Sequence, residues 1–238
     1  MIYITGDMHG NAQQAKKVFN KINCKPENTL IILGDFGGNY YLNKKDDNFK
    51  KIINDYGVQV FVIRGNHDAN PIKVKGIAYT EKYGDKGYIE PKFPNIFYAK
   101  NGSEYVIEGN KFLVLGGAYS VDKWYRLNNK FIWFSDEQMT EEEKVEFWSK
   151  GILQTQTILS HTCPYPNVPK YLFLNSIDQS TVDNSMEMFL SEVKCKIKYN
   201  NWFFGHYHAN EEIEQNMYML YDGIIHYKPF KKLKIYCR

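Results

Sequence analysis

TLIILGDFGG (residues 29–38) places four aliphatic residues in a row and then stops on a glycine and an aspartate. An apolar run without polar alternation is how a strand buried on both faces reads, and such strands belong to parallel sheets covered by helices. Its neighbours repeat the form. MIYIT (1–5) ends at Gly6-Asp7, and QVFVIRG (59–65) ends in a glycine just before Asn66. Between them lie two helical patterns. Asn11 can cap a helix whose inner face carries Ala15, Val18, Phe19 and Ile22, and residues 46–56 bring Phe49, Ile52, Ile53 and Tyr56 to one side. Strand, helix, strand, helix, strand predicts a right-handed parallel α/β start.

Further along, GIAYTEKYGDKGYIEPKFPN (76–95) is rich in Gly, Pro, Lys and Tyr and predicts a long excursion, within about 70–100. EYVIEGNKFLVLGGA predicts a hairpin turning at Gly109-Asn110. SDEQMTEEEKVEFWSK (135–150) reads as a helix with a cap and an acidic first turn, TILSHT as a strand, and 180–194 as a helix. NWFFGHYH predicts a strand, and MYMLYDGIIHYKPF a hairpin around Asp222-Gly223. In the tail, Lys232, Lys234 and Tyr236 alternate with Leu233, Ile235 and Cys237, the pattern of a half-buried strand with a lysine-lined face. No repeat or linker divides the chain, so one domain over 1–238 is expected.

Bulk properties exclude more than they assign. Apolar residues make up 43% and charged residues 24% of 238, ordinary for a soluble globular protein. A net charge of +3 gives no support to a membrane or extended nucleic-acid partner. Cys24, Cys163, Cys195 and Cys237 form no close pair, which reads as reduced thiols of a cytoplasmic protein. Asp7 interrupts any leader-like apolar core, and no apolar run is long enough to span a bilayer.

The chemistry gathers at strand ends. GDMHG follows the first strand, GDFGG the second, GNHDA the third, SHT a later one and GHYH the last, and five of the six histidines fall inside these motifs. Ligands in open α/β sheets bind beyond the carboxyl ends of strands. Asp7, His9, Asp35, Asn66, His67, Asp68, His161, His206 and His208 are therefore expected on one rim. Any one of these motifs alone is an ordinary turn. Five in order point to a metal site. Carboxylates, imidazoles and a carboxamide, without thiolate, suit Mn²⁺, Fe²⁺ or Zn²⁺. The glycines before Asp7, Asp35, Asn66 and His206 are expected to permit sharp turns off the strand tips.

This ordered set resembles the calcineurin-like metallophosphoesterase family, in its small bacterial and phage type, and GGAYSVDKWYRL (116–127) looks like a stretch recurring there. The resemblance implies an α/β fold, a four-layer α/β/β/α sandwich of two mixed β-sheets flanked by helices. It implies two divalent metal ions, Mn with Fe, Zn or Ni as alternatives. One would be held by Asp7, His9, Asp35 and His208, the other by Asp35, Asn66, His161 and His206, with Asp35 bridging. A shared hydroxide would attack phosphorus, and His67 would bind phosphate or protonate the leaving alkoxide. Arg64, Asp68 and Arg126 would brace the ligand loops or touch substrate.

One departure limits the resemblance. The protein Ser/Thr phosphatase branch continues its second motif as GDxxDRG, where the second Asp orients the catalytic histidine and the Arg grips phosphate. Gly38 and Asn39 stand there in this chain. That argues against a protein phosphatase of that branch and leaves the orientation of His67 open, with Arg126 a candidate replacement cation. The expected function is hydrolysis of a phosphodiester or phosphomonoester in a small substrate, a nucleotide among the candidates. The aromatic segment Tyr119, Trp124, Tyr125, Phe131, Trp133 could stack a base or serve as core. The alternatives are a binding scaffold on the same fold and a nuclease acting on nucleic-acid ends.

Overall fold

The buried strand over residues 29–32 organises the whole chain. The computed structural model describes residues 1–173, 178–228 and 235–236. β2 (Thr29–Ile32) lies between β1 (Ile2–Thr5) and β3 (Gln59–Val62), all parallel and in register, Ile2 beside Thr29 and Thr29 beside Gln59. Leu30, Ile31, Ile32 and Leu33 are fully buried, as an unalternated run requires. α1 (Ala12–Phe19) and α2 (Lys44–Asp55) make the two crossovers, and the Asn11 side chain caps α1 by accepting from Gln13 and Gln14.

β4 (Ala78–Lys82), β5 (Asp85–Ile89) and β6 (Ile96–Ala99) continue the sheet, so the segment over 76–95 is built largely as an edge hairpin. β7 (Glu104–Ile107) and β8 (Asn110–Leu115) start a second sheet, joined by β9 (Thr157–Ser160), β10 (Asn201–Phe204), β11 (Glu211–Glu214) and β12 (Met217–Met219). β13 (Ile224–Tyr227) returns to the first sheet beside β1, followed by β14 (Ile235–Tyr236). The described strands run β14-β13-β1-β2-β3-β6-β5-β4 in one sheet and β11-β12-β10-β9-β8-β7 in the other. α3 (Lys123–Asn128), α4 (Glu141–Ser149) and α5 (Ser185–Lys196) are the remaining α-helices among the described residues.

Three apolar layers hold this together. Ile4, Ile31, Phe61 and Phe97 meet Phe112, Leu159, Phe203 and Tyr218 between the sheets. Ala15, Val18, Phe49 and Ile53 cover the outer face of the first sheet, and Phe147, Phe189, Leu190 and Val193 that of the second. The result is the expected helix, sheet, sheet, helix sandwich. No helix among the described residues is long and apolar enough to cross a membrane.

Several local expectations shift. Glu108 and Gly109, both at positive φ, form the β7–β8 turn, one residue earlier than read, because a two-residue turn matching strand twist needs two left-handed residues. α4 starts after Thr140, whose hydroxyl and Glu143 form a reciprocal capping box, so residues 135–139 lie outside the helix. α5 begins at Ser185, not 180. Met217–Met219 and Ile224–Tyr227 are not a hairpin. They belong to different sheets, and the Asp222-Gly223 bend carries the chain between them. Of the tail, only 235–236 lies within the described residues; the alternation at Leu233, Lys232, Lys234 and Cys237 falls outside them.

On α2, Ile52 is 43% exposed while Lys50 is buried. The Lys50 ammonium reaches Glu90 at 2.5 Å and the Asn39 side-chain amide oxygen at 2.9 Å. Breaking such a pair strands a buried charge at a cost of about 3–5 kcal/mol, more than removing both partners. Lys50→Met is therefore expected to lower the denaturation midpoint strongly. Lys50→Met with Glu90→Leu should recover part of that loss. Equal stability of the single variant and the parent would show the pair to be unimportant.

Candidate metal centre

Five strand ends meet on one rim. β1 delivers Asp7 and His9, β2 Asp35, β3 Asn66 and His67, β9 His161, and β10 His206 and His208. The rim thus straddles both sheets, at the carboxyl ends of their parallel strands. Main-chain bonds lace the loops together. Met8 and His9 N–H donate to the Asp35 carbonyl at 3.0 and 2.7 Å, Gly10 donates to Phe36, and Gly205 to His161. The His206 N–H donates to both Asp7 carboxylate oxygens at 3.2 Å.

The turns fall mostly on the candidate ligand residues rather than on the glycines before them, of which Gly34 alone is at positive φ. His9, Asp35, His206 and His208 themselves adopt φ of +48°, +46°, +69° and +53°. Non-glycine residues rarely hold that region, and strain of this kind concentrates at functional sites. Gly65 and Gly205 instead make room. A Cβ on Gly65 would lie 2.1 Å from an Asp35 carboxylate oxygen, and one on Gly205 2.2 Å from an Asp7 oxygen. The glycines are needed where expected, but for space more than for turning.

Donor atoms form two sets. Asp7, His9 and His208 can point one atom each at a common centre, as can Asp7, Asp35 and His161. His208 Nε2 lies 3.2 Å from Asp7 Oδ2 and 2.9 Å from His9 Nε2. The Asp35 oxygens diverge, Oδ2 standing 3.8 Å from His9 and Oδ1 3.6 Å from His161. His161 donates Nδ1–H to the Leu33 carbonyl at 2.7 Å, which turns Nε2 to the rim, 2.8 Å from the Asn66 carboxamide oxygen. The His206 ring stacks edgewise on His161 with centroids 5.1 Å apart.

The electrostatics are those of a cation site. Burial opposes ionisation of Asp35, which is 2% exposed, yet His161, with His67 and His9, holds its carboxyl well below the usual range. Burial likewise opposes a charged His161, but Asp35 pushes it up to about 9. Burial, aided by His161, drives His206 well below the ordinary imidazole value, so it is a neutral donor. The divergent Asp35 oxygens, the fixed His161 Nε2 and the oriented Asn66 oxygen fit hard-to-intermediate divalent cations.

Around this set, the remaining candidates separate. Asp68 is buried and accepts main-chain N–H groups from Phe36, Gly37 and Gly65, pinning the β2 and β3 loops together. Burial, with Asp35 nearby, raises its carboxyl to about 6. Arg64 turns away from the rim, to the Gln138 carbonyl and Glu143, and so braces α4. Arg126 comes to His67, its Nη2 3.4 Å from His67 Nε2. Asp122, the Tyr40 hydroxyl and the Ile132 carbonyl hold the guanidinium there. Tyr207 leans on the second core layer and bonds the Thr162 hydroxyl.

Gly38 now has a cause. A Cβ there would lie 2.4 Å from the Phe36 ring, so an acid at that position does not fit, and Asn39 is occupied by Lys50. His67 is placed otherwise, by its own N–H to Asp35 and by the Tyr40 ring edge at 6.2 Å. Burial lowers its pKa.

Sequence reasoning missed Ser120, Glu137, Tyr40 and Asp122. Asn66 donates its amide to Ser120 Oγ at 2.9 Å, and Ser120 is gripped by Glu137 through both its hydroxyl and its N–H. No spacing rule links these three. A cavity of about 360 Å³ opens beside Asp35, Asn66, His67, His206 and His208.

A family model described as calcineurin-like phosphoesterase matches residues 1–210. No curated protein matches the chain. One solved crystal structure superposes with a TM-score of 0.58 at 14% identity, covering 99% of this chain and 97% of its own. The crystal structure of TT1561 of Thermus thermophilus gives a TM-score of 0.48 at 14% identity over 92% of this chain and 87% of that one. The first likeness is one of fold.

The Ser120 hydroxyl fixes which face of Asn66 turns to the rim. Ser120→Ala should weaken Mn²⁺ binding about 10–100-fold by calorimetry, the usual effect of losing a group that orients a ligand. Unchanged affinity would remove Asn66 from the site. Gly65→Ala, which collides with Asp35, should abolish high-affinity binding altogether while Gly57→Ala, whose Cβ meets nothing, should not.

Proposed function

This chain belongs to the calcineurin-like phosphoesterase family, a family of metal-dependent phosphoester hydrolases, and from that premise we propose a dinuclear enzyme acting on a compact phosphoester. The observation that carries the proposal is the divergence of the Asp35 oxygens towards two separate imidazole groups. Asp7, His9, Asp35 and His208 would hold one cation, and Asp35, Asn66, His161 and His206 the other. When bound, two such ions supply Lewis acidity for phosphate oxygens and a water acidified towards neutrality. Manganese is the metal to try first, with Fe, Zn and Ni as alternatives.

The chain's own residues would do the rest. Asp35 keeps its charge in a buried place because His161 and His9 flank it. His67 sits at the mouth of the rim with Nε2 facing the Arg126 guanidinium. A guanidinium only donates, so Nε2 accepts from it here; to hydrogen-bond a phosphate oxygen or protonate the departing oxygen, His67 would take up a proton at Nε2 as Arg126 turns to the phosphate. Arg126, held on three sides, would clamp a non-bridging phosphate oxygen with N–H groups whose direction is already set. It takes over what the Arg of the phosphatase motif does elsewhere. Both sheets supply ligands to one rim, which supports treating 1–238 as a single catalytic domain. A cytoplasmic setting belongs to the proposal and rests on the unpaired thiols Cys24, Cys163 and Cys195.

A scaffold role is disfavoured because His67 and every ligand position are filled by competent residues. The test is to purify the protein with Mn²⁺ and compare bis- and mono-nitrophenyl phosphate, then nucleotides. Activity should vanish on chelation and return with Mn²⁺; chelator-insensitive hydrolysis by homogeneous protein overturns the proposal. His67→Ala should keep its metal and lose about 10²–10⁴-fold in turnover. Arg126→Met should chiefly raise KM, by about tenfold or more.

A further inference from the structure

The cavity beside the rim is lined by residues of two kinds. Asp35, Asn66, His67, His206 and His208 are ionic or polar, while Tyr119, Val168, Phe173, Val182 and Tyr207 form an apolar and aromatic half of the lining. Phosphate coordination needs only the first kind. At about 360 Å³, the space exceeds a phosphate group several-fold and reaches the range of small-molecule sites.

Among the lining residues stands a carboxyl group, Glu187, in the first turn of α5, whose burial pushes its pKa up. It is 5% exposed. The Thr162 hydroxyl donates to Oε1 at 2.8 Å, which fixes the carboxylate plane, while Oε2 is buried and makes no hydrogen bond among the described residues. Leaving a buried acceptor unpaired typically costs about 1–3 kcal/mol, and more when the group is charged. Of the buried side-chain atoms that make no hydrogen bond among the described residues, Glu187 Oε2 is the one whose residue lines this cavity. Neither the metal ligands nor His67 and Arg126 give Glu187 one. Thr162, which holds its other oxygen, also bonds Tyr207, whose ring lines the same cavity, so acceptor and aromatic wall are one braced unit.

Resting on the phosphoesterase reading, we propose that this half is a base-binding subsite: it takes the heterocycle of a nucleotide and Glu187 Oε2 accepts from an exocyclic amino group. The apolar wall covers the faces of a planar ring, and the carboxylate reads its edge. A site built to hydrogen-bond a donor rejects the analogue lacking it, because the acceptor is then left buried and unpaired. One hydrogen bond to a charged acceptor corresponds to roughly a 10–100-fold difference in affinity.

Calorimetry on the Mn²⁺-loaded protein tests this without relying on turnover. The probes are three pairs of 5′-monophosphates: adenosine and purine riboside, guanosine and inosine, cytidine and its 4-desamino analogue. In at least one pair the amino-bearing nucleotide should bind tenfold or more tightly. Glu187→Met should bring that pair within twofold, and Phe173→Ala should weaken both members alike. If no pair differs by as much as fivefold in the parent protein, the subsite assignment is wrong, whether or not the variants fold. Absence of bis-nitrophenyl phosphate hydrolysis in the parent would instead count against the phosphoesterase reading.

Discussion

A carboxylate kept ionised out of reach of water is the constraint on which this molecule turns. Asp35 ends a strand whose four aliphatic residues are fully buried, and it inherits their burial. Isolated, such a charge would neutralise itself by taking a proton. Here three imidazoles and the His67 N–H stand close enough to prevent that. The space is won by leaving out atoms. Gly65 carries no Cβ because Asp35 occupies its place, and Gly34 carries none because the His161 ring does. Burial, charge and missing side chains therefore describe one arrangement from three directions.

That arrangement explains the two-sheet architecture better than core packing does. A single sheet could bring Asp7, Asp35 and Asn66 together, since their strands are adjacent and in register. It could not also bring His161 and His206, which need strands facing from the other side. The inter-sheet layer of Phe61, Phe97, Phe112 and Phe203 sets the distance at which the two rims meet. The bend at Leu220–Gly223 closes the same edge. Gly6 donates to the Tyr221 carbonyl, and the Tyr221 ring stacks on His208 at 4.7 Å.

The fold and the meeting of the strand-end residues on one rim were legible because each rests on a local signal. An unalternated aliphatic run names a buried parallel strand wherever it occurs, and a polar cluster at its end names a rim. Helix starts were less legible. Thr140 rather than Ser135 begins α4, since the reciprocal bond to Glu143 outweighs the earlier Ser-Asp pair. The β12–β13 segment misled for a physical reason. Asp-Gly between two apolar runs has the composition of a hairpin, and nothing local records that the runs join different sheets. Ser120 and Glu137 were illegible for the same cause. Their connection to Asn66 exists only in space, across 54 residues in one case.

Gly38 and Arg126 must be read together. The acid that the protein phosphatase branch carries at the first position would collide with Phe36, a residue packed against Phe49 and Tyr98 beneath the loop. Filling that space with an aromatic ring strengthens the seat of Asp35 but removes the usual partner of the histidine. The charge then enters from another element, on a short helix whose own residues are none of them buried. α3 has no core to hold it. Arg126 itself ties it down, through Tyr40 from one sheet's loop and Ile132 from its own. The strand-end residues and Arg126 are thus held by different means, the first by buried strands and main-chain bonds between loops, the second by side-chain contacts of its own guanidinium.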